Sequence, residues 1–369
     1  MSHRKIKILF CFGTRPEAIK MAPLYHTLKN HFEVIVCVTG QHRHMLDQVL
    51  EFFEITPHHD LNLMQDGQTL NDLSALIITR FDAVLKKENP DLVLVHGDTT
   101  TSSMAALSAF HVGVRVGHVE AGLRTYDKTA PFPEEINRQL TGRIADFHFA
   151  PTLLAKHNLL GEHVPADRIV VTGNTVVDAL HWAKQKIQAG YNHPVIRALQ
   201  AFAGKKIVLV TGHRRENFGD GFAAVCAALK NIAQRKDVLI VFPVHLNPMV
   251  RKPVDDLLAG VGNIHLMEPV EYPVMIWLLE NCSLIISDSG GIQEEAPAFM
   301  KPILVTRDVS ERPEGVDSGY ATLVGTNAER IVSMAAQFLD TPFENRNANP
   351  YGDGQASQRI SDFIKAHCH

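Results

Sequence analysis

Short runs in which every position is apolar alternate along this chain with longer segments in which apolar positions recur at helical spacing. Lys7 to Phe12 is followed by Pro16 to Lys29, Val34 to Val38 by Arg43 to Phe53, and Asp91 to Val95 by Thr101 to Phe110. A strand with one wet face alternates polar and apolar; a run apolar at successive positions is expected where helices cover both faces of a parallel sheet. The pattern therefore predicts βαβ units in a doubly wound α/β sheet. It then starts again. Lys5-Ile6-Lys7-Ile8-Leu9-Phe10 ahead of Gly13 is matched, about 200 residues on, by Lys205-Lys206-Ile207-Val208-Leu209-Val210 ahead of Gly212, so each reads as the first strand of its own Rossmann-like unit.

A chain of 369 residues is too long for one ordinary core and suits two. The join is expected near Val171 to Asn174. That gives an N-terminal domain over 1–172, a C-terminal domain over 173–353, an inter-domain cleft, and a bridging helix over Thr175 to Gln188. The amphipathic stretch Gly354 to His367 either ends the second domain or, as part of 354–369, packs back on the first.

Composition narrows the function classes. Hydrophobic residues at 45% and charged residues at 21% are those of an ordinary globular chain, and a net charge of -4 argues against a nucleic-acid or membrane-surface partner. A small molecule is the expected partner. The five cysteines, Cys11, Cys37, Cys226, Cys282 and Cys368, are scattered and include no CxxC pair, which suits a reducing cytoplasm and predicts neither a disulfide framework nor a zinc ribbon. The basic start is followed by an apolar run too short for a signal peptide, and no run reaches the length of a membrane span. The twenty histidines hint at a polar site, but no HExxH spacing marks a metal.

Four strand ends carry chemistry. Open α/β sheets bind ligands beyond the carboxyl ends of their strands, and cations there expect an anion. The first end is Gly13-Thr14-Arg15-Pro16-Glu17-Ala18-Ile19-Lys20, where Pro16 suits the first helical position, Thr14 or Arg15 caps, and Arg15 stands at a helix start that already favours an anion. The second pairs His96-Gly97-Asp98-Thr99-Thr100-Thr101 with His118-Val119-Glu120-Ala121-Gly122. Carboxylates crowded at neighbouring strand ends raise each other's pKa, so one can hold a proton near neutrality. Glu134, beside Glu135, adds an acid at a helix start, where the helix dipole alone would favour one. Asp98 could instead cap the following helix, and the His96, Asp98, His118, Glu120 quartet could bind a metal, although no ligand motif supports this.

The third end is Thr211-Gly212-His213-Arg214-Arg215-Glu216-Asn217, an imidazole and two guanidiniums at a glycine turn. The fourth is Ser287-Asp288-Ser289-Gly290-Gly291-Ile292-Gln293-Glu294-Glu295. Ser289, Gly290 and Gly291 open a helix as a phosphate cradle, Glu295 one turn on suits the vicinal hydroxyls of a ribose, and Arg312 adds a phosphate contact.

In order and spacing, these motifs resemble those of the bacterial non-hydrolysing UDP-N-acetylglucosamine 2-epimerases over nearly the whole chain. The resemblance implies a glycosyltransferase-B-like pair of Rossmann domains, a homodimer, and interconversion of UDP-GlcNAc and UDP-ManNAc without metal, nicotinamide or other cofactor. It implies anti elimination of UDP to a 2-acetamidoglucal followed by re-addition, and supply of ManNAc units to a surface polysaccharide such as a capsule. Carried over residue by residue, the catalytic positions fall on Asp98, Glu120, Glu134 and His213. The substrate contacts fall on Arg15, Lys20, Ser289, Gly290, Gly291, Glu295 and Arg312, with Val270 and Met275 near the uracil.

One region departs from the pattern. Some members of that family bind a second UDP-GlcNAc as an activator. Here Gln41 is present, but His44 and Gly67 stand where a glutamine and an arginine are expected; Glu135, Arg214, Arg215 and His245 complete the candidate activator set. Two rival functions share the fold expectation: a UDP-sugar-dependent glycosyltransferase and a nucleotide-sugar sensor.

Overall fold

The computed structural model describes residues 4–40, 43–64, 67–202, 204–214, 217–310 and 312–368. The first unit's strands are β1 (Lys7–Phe12), β2 (Glu33–Val38), a two-residue β3 (His59–Asp60), β4 (Leu92–His96), β5 (Arg115–Val119), β6 (Phe147–Ala150) and β7 (Ile169–Val171), and the apolar runs of β1, β4, β5 and β6 are buried almost throughout. They form one parallel sheet in the order β3-β2-β1-β4-β5-β6-β7. Cys11 of β1 lies opposite Cys37 of β2 and Val95 of β4, and helices covering both faces explain why successive positions are apolar. β4 starts at Leu92, one residue later than the run suggests, and Asp91 just ahead of it takes the Lys7 amide on its carboxylate at 2.7 Å.

The pattern does restart. Strands β8 (Lys206–Thr211), β9 (Val238–Pro243), β10 (Ile264–Met267), β11 (Cys282–Ser287), β12 (Ile303–Val305) and β13 (Ala321–Leu323) form a second parallel sheet, ordered β10-β9-β8-β11-β12-β13. Both sheets reverse their strand order beside their own first strand, between β1 and β4 and between β8 and β11. In doubly wound folds that switch point is where ligands bind.

The chain divides into two compact units: residues 1–179 with 352–369, and residues 180–351. The helix Thr175–Gln188 carries the chain from one to the other. In the first unit the terminal helix Ala356–His367 packs on the helix Arg15–Leu28, and Phe363 meets Phe147 and Phe149 edge-on at 5.4 and 5.7 Å between ring centres. Asp178 accepts the amides of Ala356 at 3.2 Å and Ser357 at 2.8 Å, fixing where that helix begins. Among the described residues, no helix is long and apolar enough to cross a membrane.

Candidate active site

In the first unit the loop after β1 is set by a capping box. Thr14 Oγ1 takes the Glu17 amide, and the Glu17 carboxylate takes the amides of Gly13 at 3.0 Å and Thr14 at 2.8 Å. The helix begins at Arg15, so Pro16 sits one place further in than expected. Glu17 is 2% exposed and also accepts the hydroxyls of Thr99 at 2.8 Å and Ser102 at 3.0 Å. It thereby ties the β1 loop to the start of the helix Thr100–His111. Burial pushes its pKa up against the pull of those hydrogen bonds.

Thr99 caps the helix after β4, accepting the Ser102 amide at 3.0 Å. Asp98 is therefore not needed as a cap. Its carboxyl is pushed up to about 7, first by burial, then by the charges of Glu120 and Glu134, while Arg138, 3.6 Å away, and Lys20 oppose the shift. Even so, 30% of its side-chain surface stays open. A carboxyl that titrates near neutrality and can be reached is suited to proton transfer.

Glu120 follows β5 with a backbone φ of +64°, a left-handed conformation that costs free energy in a residue other than glycine. Its side chain is ion-paired with Lys20, and its Oε2 also accepts the Asn174 amide at 2.9 Å, with His96 Nε2 at 3.8 Å. Lys20, expected among the substrate contacts, thus lies on a carboxylate. His118 is fully buried and donates from Nε2 to the Gly97 carbonyl at 2.7 Å; burial first, with nearby positive groups, holds its pKa down to about 3. It is a neutral brace under the Gly97 turn. Among the described residues, no three His, Cys, Asp or Glu side chains gather as a metal-binding group.

The adjacent acids at the start of the helix Glu134–Ile144 face different surroundings. Glu134 is half-buried and its charge is felt at Asp98. Glu135 is fully buried. Its carboxylate takes the amides of Thr125 and Tyr126 at 3.0 Å, Arg138 Nε at 2.7 Å and Gln139 Nε2 at 2.6 Å. Those bonds hold the 125–126 loop and orient Arg138 toward Asp98. That is a structural role for a residue grouped by sequence with the activator contacts.

In the second unit, Asp288 after β11 is 1% exposed and organises the turn after β8. It accepts the amides of His213 at 3.0 Å and Arg214 at 2.9 Å and the Asn217 side chain at 3.3 Å, with His213 Nδ1 at 3.5 Å. The His213 ring stacks on His245, with centres 5.5 Å apart and planes 20° apart. Burial pushes the His213 pKa down, with His245 and Arg214 adding to it and Asp288 opposing. A neutral imidazole results, with 45% of its side-chain surface open.

Ser289 opens the short helix Gly290–Glu295 without a side-chain cap, and the Ser289 amide donates to Ser287 Oγ at 2.9 Å. Arg214 reaches this turn: a Cβ on Gly290 would meet its Nη2 at 3.8 Å, and its buried Nε has no hydrogen-bond partner among the described residues. A buried guanidinium donor beside a glycine helix start suits an anion. Arg312 pairs with Glu294 at 2.5 Å, and the Ser310 hydroxyl links its amide to Gln293. Glu295 ends the short helix half-buried; Val270 precedes the helix Tyr272–Asn281, on which Met275 lies, and both are half-buried. Gln41 and Arg215 lie outside the described residues, as does the side chain of His44; Gly67 is described, with φ +72°.

Sequence reasoning missed Asn174, Arg138 and Glu17 as parts of the site. Glu17 carried a legible signal, the T-x-x-E spacing of a capping box from Thr14. The other two carried none.

Comparison with known proteins completes the picture. The profile of the UDP-N-acetylglucosamine 2-epimerase family matches residues 26–365. The chain is 52% identical, over 98% of its length and 99% of the relative's, to the UDP-N-acetylglucosamine 2-epimerase of Yersinia pestis. Among solved structures it is 45% identical to the UDP-GlcNAc 2-epimerase of Neisseria meningitidis bound to UDP-GlcNAc, with a TM-score of 0.90 over 98% of this chain and 100% of that one. It is also 45% identical to S. aureus MnaA in a co-structure with UDP, with a TM-score of 0.87 over 98% and 96% of the two chains.

Proposed function

The chain belongs to the bacterial non-hydrolysing UDP-N-acetylglucosamine 2-epimerase family, and from that membership we propose that it is an isomerase interconverting UDP-GlcNAc and UDP-ManNAc through a 2-acetamidoglucal. No carbonyl acidifies the hydrogen at C2 of the sugar, so direct deprotonation has nothing to stabilise its product. Elimination solves this. A base removes the C2 proton, that electron pair becomes the C1=C2 bond, and the C1–O bond breaks with its electrons leaving on UDP. The reverse steps, with the proton returned to the opposite face of C2, give the epimer.

The observation that carries this reading is the pairing of two differently prepared carboxyls at the ends of β4 and β5. Glu120 is ion-paired and hydrogen-bonded, whereas Asp98 titrates at about 7. Environments that push two acids apart assign one to be charged and one to carry a proton. We assign Glu120 to the charged role and Asp98 to the proton-bearing one, with Glu134 raising Asp98 by its charge. In the second unit, Arg214, Arg312 and the Ser289-Gly290-Gly291 turn take the diphosphate as it gains charge, and neutral His213 serves as a hydrogen-bond donor there. Glu295, Val270 and Met275 hold the nucleoside, and Arg15 gives a further phosphate contact.

The proposal extends to a cytoplasmic homodimer supplying a surface polysaccharide. Five buried, unbridged cysteines support the compartment. The exposed Phe132, Ile136, Leu140 and Leu153 of the first unit are apolar surface that a second copy can cover.

Incubation with UDP-GlcNAc in deuterated water tests the activity. Deuterium at C2 of both recovered UDP-sugars is the expected result. Unlabelled sugar with free UDP would instead mean transfer or hydrolysis, and unchanged substrate a sensor.

A further inference from the structure

We propose that Asn174 is a positioning residue for the reacting carboxylate of Glu120, an inference that rests on the role just given to Glu120. Asn174 is 3% exposed, and both ends of its amide are committed. Oδ1 accepts the Val176 amide at 3.0 Å, capping the first turn of the helix Thr175–Gln188. That bond fixes which way the amide faces, and Nδ2 consequently donates to Glu120 Oε2 at 2.9 Å. Lys20 from the helix after β1 holds the same carboxylate, so Glu120 is gripped from two elements far apart in sequence.

The loop carrying Asn174 is itself braced. Arg359 Nη1 donates to the Thr172 carbonyl at 2.9 Å while the same guanidinium pairs with Asp353 at 2.7 Å. Gly352 packs so closely that a Cβ there would lie 3.1 Å from Gly173 Cα. The C-terminal segment thus sets the loop, the loop sets Asn174, and Asn174 sets the carboxylate. Glu120 needs such support because its own backbone is in a costly conformation.

Helix capping and carboxylate positioning separate cleanly by substitution. Aspartate caps a helix as well as asparagine, but it cannot donate to Glu120 and adds a like charge; serine also caps, without the charge or the reach. For Asn174→Asp and Asn174→Ser we expect kcat to fall by about 30-fold, the effect of losing a hydrogen bond to a charged group, while KM for UDP-GlcNAc stays within about 2-fold. Calorimetric UDP affinity, measured alongside, should match the parent protein, while the thermal midpoint falls modestly for Asn174→Ser and further for Asn174→Asp, which buries a second carboxylate beside Glu120. If both variants keep the parent kcat while Glu120→Gln is inactive, Asn174 is only a cap and the inference is overturned. If Glu120→Gln keeps the parent turnover, the assignment of Glu120 fails and this inference with it. Should Asn174→Asp not fold, Asn174→Ser alone decides.

Discussion

The two units place functional groups at equivalent points of equivalent sheets, yet build them oppositely. In the first unit the groups at the strand ends are held by other parts of the protein. A Cβ on Gly122, at φ +93°, would lie 2.2 Å from the Ala155 carbonyl oxygen, and Asp98, Glu120 and Glu135 each have protein partners. In the second unit the glycine turn is open. A Cβ on Gly291 would meet, among the described residues, only Ser289 Oγ at 3.8 Å, and His213 keeps nearly half its surface. Glycine is a packing requirement at Gly122 and leaves open space at Gly291. Under the proposed mechanism the first unit holds the groups that do chemistry, which must be in place before substrate arrives. Under the same proposal the second presents donors to the diphosphate.

The largest test of that contrast is Glu120→Gln, which should lower kcat by about 1,000-fold with UDP affinity nearly unchanged, as expected for loss of a proton-transfer group. Calorimetric titration of UDP beside the kinetics checks the split, and an equal loss in both would erase the division between the units. Next is Asp98→Asn. A carboxyl raised from 3.8 to about 7 binds its proton more tightly when folded, so the ionised form destabilises the fold above the unfolded pKa. Asparagine has no such cost. The variant should match the parent near pH 4 and gain on it up to pH 7, to an upper bound of about 4 kcal/mol, after which the gap levels off. Urea unfolding at several pH values measures this, and a pH-independent gap would contradict the shift.

Gly122→Ala should then cost about 3 kcal/mol through backbone strain and overpacking, visible as a lower denaturation midpoint. Its counterpart Gly291→Ala should leave that midpoint in place and weaken UDP by about 10-fold, because the added methyl takes up room at the phosphate turn. Between these two, Arg312→Ala should weaken UDP by about 30-fold through loss of a charge-assisted contact, while kcat at saturation changes little.

How much of this was legible beforehand follows from the range of the interactions. Strands and helix starts are local, so the runs at Lys7 to Phe12 and Ile207 to Val210 and the glycine turns located both sheets and their switch points. Asp98 had two local readings, cap or acid, and Thr99 settled the matter by taking the cap. Glu134 and Glu135 are one residue apart, and a helix turns by about 100° per residue, so which acid faced inward was a question of tertiary packing. Asn174 was invisible for a different reason. Its partner lies 54 residues earlier, and an asparagine before a helix is fully explained by capping alone. Lys20 pairs across 100 residues. Motif reading finds groups at strand ends but not which cation or amide reaches across to hold them.

The return of residues 352–367 to the first unit also has a consequence for biosynthesis. The segment that braces the Asn174 loop is translated after the whole of the second unit, so the ribosome has delivered 180–351 before the first sheet can receive its final helix. A nascent chain halted anywhere within that stretch carries the carboxylates but lacks their brace. The first unit is therefore completed only after the second has been synthesised in full.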